Sequence, residues 1–188
     1  MKSMGNDVIL IREPGGTKIG EQIRAILLDA ENKGMDYYME SCLYAAARAQ
    51  LVNNVIKPAL AEGKIVICDR FVDSSYAYQA MARGLGFETV SGVNAQAVKG
   101  AMPDVTIFID LSPEAGLARR KNTDKFDRLD GEALDFHKRV YAGYKELSQM
   151  FSDRFLNICG EGSEKEVFEA MVNELRKRLS YIEKEVIL

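Results

Sequence analysis

The sequence predicts an α/β protein in which helices cover both faces of a parallel sheet. Three short runs are wholly apolar and rich in β-branched residues, as buried strands are. These runs are Val8–Ile11, Ile65–Cys68 and Val105–Ile109, and Phe155–Ile158 is a weaker fourth. Long stretches with helical periodicity lie between them. Strands that alternate with helices in this way pair in parallel, because each crossover returns the chain to the same edge of the sheet.

The helical stretches follow the apolar runs in order. The first has Ile19, Ile23, Ile26 and Leu27 on one face, and the second extends from about Met39 to Val55. Two longer helices are expected over Glu132–Phe151 and Glu164–Glu185. No repeat or linker interrupts the 188 residues, which suffice for a single hydrophobic core. We therefore expect one domain, 1–188.

Composition excludes several classes of protein. The chain is 47% hydrophobic and 28% charged with a net charge of −3, so no basic field indicates a nucleic-acid partner. The three cysteines form no C-x-x-C pair, which favours a reducing, cytoplasmic setting over a disulfide framework. No apolar run reaches the roughly 18 residues that a membrane span needs, and the start lacks the apolar core of a signal peptide.

Polar clusters follow the predicted strands. Arg12-Glu13 comes after the first strand, Asp69-Arg70 after the second and Asp110 after the third. In open parallel sheets, ligands bind beyond the carboxyl ends of the strands. These clusters are therefore the first candidates for a functional site.

The richest cluster extends from Asp69 to Gln79. Arg70 offers a fork of donors that suits a phosphate, and Asp69 could hold a magnesium ion directly or through water. If a helix begins near residue 74, Ser75, Tyr78 and Gln79 share one face. The alternative is structural, with Asp69 as a helix cap that pairs with Arg70.

A second cluster pairs an aromatic ring with a cation. Tyr44 and Arg48 are four residues apart on a predicted helix, with only alanines between them. A flat base could stack on Tyr44 while Arg48 bonds its edge. The alternative is a packed helix with a solvated arginine.

A third cluster is Arg12-Glu13-Pro14-Gly15-Gly16-Thr17, with Arg24 further along the next helix. Glycines allow the backbone to approach a ligand closely, and Pro14 stiffens the turn. A plain tight turn after a strand would look the same.

In order and spacing, the three clusters together resemble the thymidylate kinase family. The resemblance continues through Pro103-Asp104, 116–119 and 127–130, and covers nearly the whole chain. It implies the P-loop nucleoside monophosphate kinase fold. It also implies phosphorylation of dTMP to dTDP by ATP with Mg²⁺, in the cytoplasm, by a homodimer.

The resemblance also implies a role for each matching residue. Arg24 and Arg70 would hold the 5′-phosphate of dTMP. Glu13 and Pro14 would line the binding site on its sugar-phosphate side. The remaining acceptor residues would surround the nucleoside: Tyr44 stacked on thymine in place of the family's usual phenylalanine, Arg48 on a carbonyl, Ser75 and Gln79 at the base edge, and Tyr78 against the 2′ position.

A basic lid is expected over 119–130. Its cations Arg119, Arg120 and Lys121 would act with Asp69 and Arg70 on the transferred phosphoryl group, with Arg128 also in the lid. The match in this segment is loose, because Asn122-Thr123-Asp124 interrupts the basic run. A solvated, charged helix end is the alternative.

One expected motif has no match. No G-x-x-x-x-G-K-[ST] phosphate loop occurs in the 188 residues, although the resemblance implies a first strand and such a loop for ATP. The sequence-based expectation is that both are absent from the chain. Two other functions therefore stay open: a non-catalytic or truncated dTMP-binding module, and a kinase for another nucleoside or monophosphate.

Overall fold

A computed structural model of the protein describes residues 7–120 and 127–186. These residues divide into two compact units, one of residues 7–102 and 127–144, the other of residues 103–120 and 145–186. The expectation of a single domain stays a prediction.

Helices and strands alternate along the chain as the periodicity predicts. The strands are β1 (Val8–Arg12), β2 (Ile65–Asp69), β3 (Thr106–Asp110) and β4 (Phe155–Cys159). The helices are α1 (Lys18–Leu28), α2 (Tyr37–Leu51), α3 (Lys57–Ala61), α4 (Val72–Ser75), α5 (Phe87–Asn94), α6 (Pro113–Arg120), α7 (Leu134–Met150) and α8 (Glu164–Val186). Two π-helical stretches, Val52–Ile56 and Tyr76–Ala82, extend α2 and α4 respectively.

All four described strands pair in parallel, as predicted. In the first unit β1 pairs with β2, from Val8 opposite Ile65 to Arg12 opposite Asp69. In the second unit β3 pairs with β4, with Thr106 opposite Phe155. Among the described residues these pairs are two separate two-stranded sheets. The carboxyl ends of β1 and β2 therefore lie side by side, and the residues that follow both strands begin the candidate site.

The expectation that the apolar strands are wholly buried is wrong for some residues. Leu10 is 76% exposed and its register partner Ile67 is also exposed. Ile109 of β3 is exposed as well. Each sheet of the described residues has only two strands, and part of the surface of each strand stays uncovered. The apolar composition of a strand alone therefore overestimates how far its side chains are buried.

The core of the first unit forms where α2 passes into its π-helical extension. Leu51, Val52 and Ile56 are buried there, and Ile11 and Val66 of the sheet pack against them. α2 begins earlier than the predicted residue 39 because the Asp36 carboxylate accepts from the backbone N–H groups of Tyr38 and Met39. Among residues 7–120 and 127–186, no helix combines the length and apolarity needed to cross a bilayer.

Candidate functional site

A glycine turn connects β1 to α1. Gly15 and Gly16 have φ angles of 128° and 78°, which side-chain-bearing residues rarely adopt. A Cβ on Gly16 would also lie 2.7 Å from a methyl group of Leu51. The Gly16 N–H donates to Glu21 Oε1 at 2.7 Å, and this bond, followed by that from Arg12, lowers the pKa of Glu21. Glycine is therefore required at positions 15 and 16, where the backbone turns from β1 into α1.

Two arginines converge on the carbonyl of this turn. Arg12 Nη1 and Arg24 Nη1 donate to the Pro14 oxygen at 2.7 and 3.0 Å. Arg12 also pairs with Glu21 at 3.0 Å, whereas no carboxylate of the described residues lies within ion-pair distance of Arg24. Burial and then the charge of Arg12 lower the pKa of Arg24. An anion placed beside Arg24 would relieve this excess of positive charge.

Arg48 lies at the centre of a buried polar cluster. Its side chain is 1% exposed, and its Nε and Nη2 donate to Glu13 Oε2 at 2.8 and 2.6 Å. Nη1 donates to Ser75 Oγ at 3.0 Å and to Asn94 Oδ1. The guanidinium carbon also lies 5.4 Å from the ring centre of Phe71. The fold thus unites three predicted site residues, Glu13, Arg48 and Ser75, and keeps one N–H of Arg48 free of these bonds.

Asn94 is a member of this cluster that the sequence did not reveal. It is wholly buried at the end of α5, and its Nδ2 donates to the Val90 carbonyl at 2.8 Å. Its Oδ1 is therefore turned towards Arg48. The two residues are 46 positions apart in sequence and no motif links them, so only the fold brings them together.

Arg70 is an exposed cation at the carboxyl end of β2. Its φ of 63° is left-handed, which turns the side chain away from the line of the strand. The guanidinium carbon lies 5.2 Å from the ring centre of Tyr78, and no carboxylate of the described residues lies within ion-pair distance. Such a cation, next to an aromatic wall, suits an incoming phosphate.

Tyr78 belongs to a cluster of rings. Its ring meets those of Phe136 and Tyr144 edge-on, at centroid distances of 6.0 and 6.4 Å. Oxygens of Tyr144 and Ser74 share a hydrogen bond of 2.7 Å. Burial raises the pKa of Tyr144 to about 12, so its phenol is neutral at physiological pH. The position of Tyr78 is thus set from two sides.

Gln79 is held by a buried carboxylate. Its Nε2 donates to Glu40 Oε1 at 2.8 Å. Glu40 also accepts hydrogen bonds from Arg83 and Arg128, and Arg128 Nε donates to the Leu27 carbonyl at 2.8 Å. Arg128, which the sequence assigned to the lid, is therefore a buried anchor of the first unit in this conformation.

The comparison with known proteins identifies the family. A sequence profile described as Thymidylate kinase matches residues 1–171. This chain belongs to the thymidylate kinase family. Its similarity to "Thymidylate kinase" of Caldanaerobacter subterraneus subsp. tengcongensis is 51% identity over 160 residues, which covers 85% of this chain and 76% of that protein.

Two further relatives give the same result. "Thymidylate kinase" of a Thermoanaerobacter species is 49% identical over 175 residues, covering 93% of this chain and 85% of that protein. The protein of the same name from Finegoldia magna is 47% identical over 173 residues, covering 92% and 84%. The resemblance predicted from the sequence is thus confirmed, as is the P-loop nucleoside monophosphate kinase fold that the family shares.

Other predicted residues of this thymidylate kinase family member are placed as follows. Tyr44 is half-buried on α2, one turn before Arg48, and burial raises the pKa of its phenol. In the second unit, Arg119 and Arg120 end α6, and Arg119 Nη2 donates to the Gly162 carbonyl at 3.4 Å. Lys121 lies outside the described residues.

The carboxyl end of β2 offers one carboxylate that suits a magnesium ion. Asp69 ends β2 as an exposed carboxylate, and its carbonyl accepts from the Glu13 N–H at 3.0 Å. One carboxylate is enough for Mg²⁺ when phosphates supply further oxygens. No group of three or more His, Cys, Asp or Glu side chains among the described residues forms an all-protein metal site. No G-x-x-x-x-G-K-[ST] motif occurs in the 188 residues.

Proposed function

We propose that this protein phosphorylates dTMP to dTDP, with ATP as donor and Mg²⁺ as cofactor. The relatives named Thymidylate kinase align with most of the chain. The observation that carries the proposal is the exposed guanidinium of Arg70, which lies beside the ring of Tyr78 and has no carboxylate of the described residues within ion-pair distance. It offers a phosphate site next to a flat wall, as a nucleoside monophosphate requires.

The phosphate of dTMP would be held from two sides. Arg70 projects from the end of β2, and Arg24 projects from α1 over the Pro14 carbonyl. Each guanidinium can give two parallel hydrogen bonds to phosphate oxygens. Two guanidinium groups of this kind favour a monophosphate as the ligand. A nucleoside has no phosphate and would leave both cations without an anionic partner.

The base would lie against α2 and the π-helical stretch after α4. Tyr44 would stack on thymine, and the free N–H of Arg48 would bond a carbonyl of the base. Ser75 keeps its hydroxyl hydrogen available, because its oxygen accepts from Arg48. Gln79 would complete the base edge.

The sugar would occupy the space between the glycine turn and the tyrosine cluster. Glu13 and Pro14 would bound one side, and Tyr78 would crowd the 2′ position. A ribose hydroxyl would then have to displace a ring that Phe136 and Tyr144 hold in place.

Catalysis would consist of positioning and charge neutralisation, without a covalent intermediate. Asp69 would hold Mg²⁺ directly or through water, and the ion would supply positive charge that offsets the charge of the phosphates. Arg70 would fix the acceptor oxygen, and Arg119, Arg120 and Lys121 would supply the cations of the lid.

We also propose that the protein is a cytoplasmic homodimer. Ile19 and Ile26 lie seven residues apart on one face of α1, and both are about half exposed. A second copy would cover such residues. Sedimentation equilibrium should give twice the chain mass, and Ile26→Glu should yield monomer. A wild-type monomer at micromolar concentration would contradict the proposal.

The test of the function is a steady-state assay of ADP release, with Mg-ATP and each of dTMP, dCMP, dAMP and dGMP as acceptor. We expect turnover with dTMP and a kcat/KM well above that of the other three. Arg70→Ala serves as the control for contaminating kinase. The proposal fails if dTMP is not converted, or if turnover persists unchanged in that variant.

A further inference from the structure

The side-chain amide of Gln79 can face Glu40 in only one way. Glu40 is 0% exposed, and its carboxylate already accepts from the guanidinium groups of Arg83 and Arg128. A guanidinium only donates, so the Glu40 oxygens can offer only lone pairs to their neighbours. Gln79 must therefore turn its NH₂ towards Glu40. In agreement, Gln79 Nε2 donates a 2.8 Å hydrogen bond to Glu40 Oε1.

This contact determines which atom Gln79 presents on its other side. With Nε2 on Glu40, the carbonyl Oε1 points away from the carboxylate. Oε1 accepts no hydrogen bond from the described residues, although the whole side chain is only 2% exposed. Ser75, four residues earlier, lies on the same side of the helix and bonds Arg48. Gln79 Oε1 thus has no hydrogen-bond donor among the described residues. A ligand bound at the Arg48 cluster could supply one.

We propose that Glu40 is a positioning residue that determines base specificity through Gln79. By fixing the Gln79 amide, it keeps a carbonyl oxygen facing the base. This oxygen accepts from pyrimidines that carry a hydrogen on ring nitrogen 3, thymine and uracil. Cytosine has a lone pair on that nitrogen and is rejected. The inference rests on the proposed function, in which the base of dTMP lies against Gln79.

The discrimination has a simple electrostatic basis. Thymine pairs its N3–H with Gln79 Oε1, whereas cytosine would bring two lone pairs together in a buried space. Both acceptors would lose their hydration without a partner. A glutamine free to rotate could bond either base, because its amide offers both a donor and an acceptor. A carboxylate locked by two arginines prevents that rotation.

The decisive variant is Glu40→Gln. Arg83 and Arg128 will hold the carbonyl oxygen of the new side chain, because they only donate. Its NH₂ will then face Gln79, which must turn over and present its own NH₂ to the base. We expect the ratio of kcat/KM for dTMP to that for dCMP to fall by about 10-fold to 100-fold. KM for dCMP should fall while KM for dTMP rises.

Glu132→Gln is the matched control. Glu132 bonds Arg83 at 2.7 Å and so belongs to the same ion-pair network, but it makes no contact with Gln79. Its replacement should leave the dTMP-to-dCMP ratio unchanged. If Glu132→Gln lowers the ratio as much as Glu40→Gln does, the effect is general loosening and the proposal is overturned.

Gln79→Met tests the acceptor atom itself, and it does so even if Glu40→Gln does not fold. It removes the acceptor at similar volume, and the ratio should again fall by about tenfold. Where Glu40→Gln does fold, adding it to Gln79→Met should change the ratio no further, because Glu40 acts through Gln79. Wild type is assayed first: without turnover of dTMP, the proposed function fails and this inference with it. If wild type is active and neither variant shifts the ratio, only the inference fails.

Discussion

The guanidinium of Arg48 donates two hydrogen bonds to a single oxygen of Glu13, from Nε at 2.8 Å and from Nη2 at 2.6 Å. Both side chains are buried, and the other carboxylate oxygen, Glu13 Oε1, has no partner among the described residues. Burial raises the pKa of Glu13, although the charge of Arg48 opposes the rise. Each of these buried side chains thus compensates the charge of the other.

Glu13→Ala should therefore be strongly destabilising. It leaves the buried charge of Arg48 without compensation, and the free energy of unfolding should fall by about 3–5 kcal/mol. Urea denaturation followed by circular dichroism measures this change. Glu21→Ala is the matched control, since its ion pair with Arg12 is about half exposed and should contribute at most ~1 kcal/mol. Equal losses in the two variants would show that Glu13 and Arg48 do not depend on each other.

Arg70→Ala should weaken dTMP binding far more than thymidine binding. Arg70 has no carboxylate partner among the described residues, so its loss leaves no buried charge behind and the fold should persist. One charge-assisted contact is worth roughly 1.5–3 kcal/mol, which is a loss of about 10- to 150-fold in affinity for dTMP. Calorimetric titration with both ligands checks this. Equal loss for both would rule out a phosphate role.

Tyr78→Ala should relax discrimination against ribose. The ring of Tyr78 is wedged between Arg70, Phe136 and Tyr144, and its removal opens space beside the proposed sugar site. The ratio of kcat/KM for dTMP to that for ribo-TMP should fall by about tenfold, on the scale of one lost steric contact. Tyr78→Phe keeps the ring and should keep most of the ratio. If Tyr78→Ala leaves the ratio unaltered, the ring does not contact the 2′ position.

Cys68 should resist alkylation although it is next to the site. Its thiol donates to the Arg70 carbonyl at 3.0 Å, and burial raises its pKa to about 12. Because the thiolate is the reactive form, almost none is present at pH 8. Peptide mass spectrometry after brief iodoacetamide treatment should find exposed Cys159 modified first. Urea-unfolded protein, in which all three cysteines react, is the control. Faster modification of Cys68 than of Cys159 would contradict this environment.

The elements of the fold were predictable from local pattern. Apolar, β-branched runs gave β1 to β4 within one or two residues, and the periodicity gave α7 and α8. The exposure of Leu10 was not predictable, because burial depends on what covers a strand rather than on its own composition. The π-helical stretches, such as Tyr76–Ala82, correspond to no local sequence pattern.

The site was predictable where its residues belong to short motifs of neighbouring residues. Glu13, Arg48 and Ser75 belong to three separate motifs, and the structure brings them into direct contact. Asn94 and Glu40 were missed because each acts through a contact that spans dozens of residues. Such contacts exist only once α5 and the Tyr76–Ala82 stretch are packed against α2.

Calorimetric titration of the 188-residue chain with dTMP alone tests the central claim most directly. We expect one dTMP per chain, with thymidine at least about tenfold weaker because it lacks the phosphate that Arg24 and Arg70 would bind. A second titration with Mg-ATP examines the donor side separately. Absence of dTMP binding by a chain that circular dichroism shows to be folded, or equal affinity for thymidine, would contradict the account.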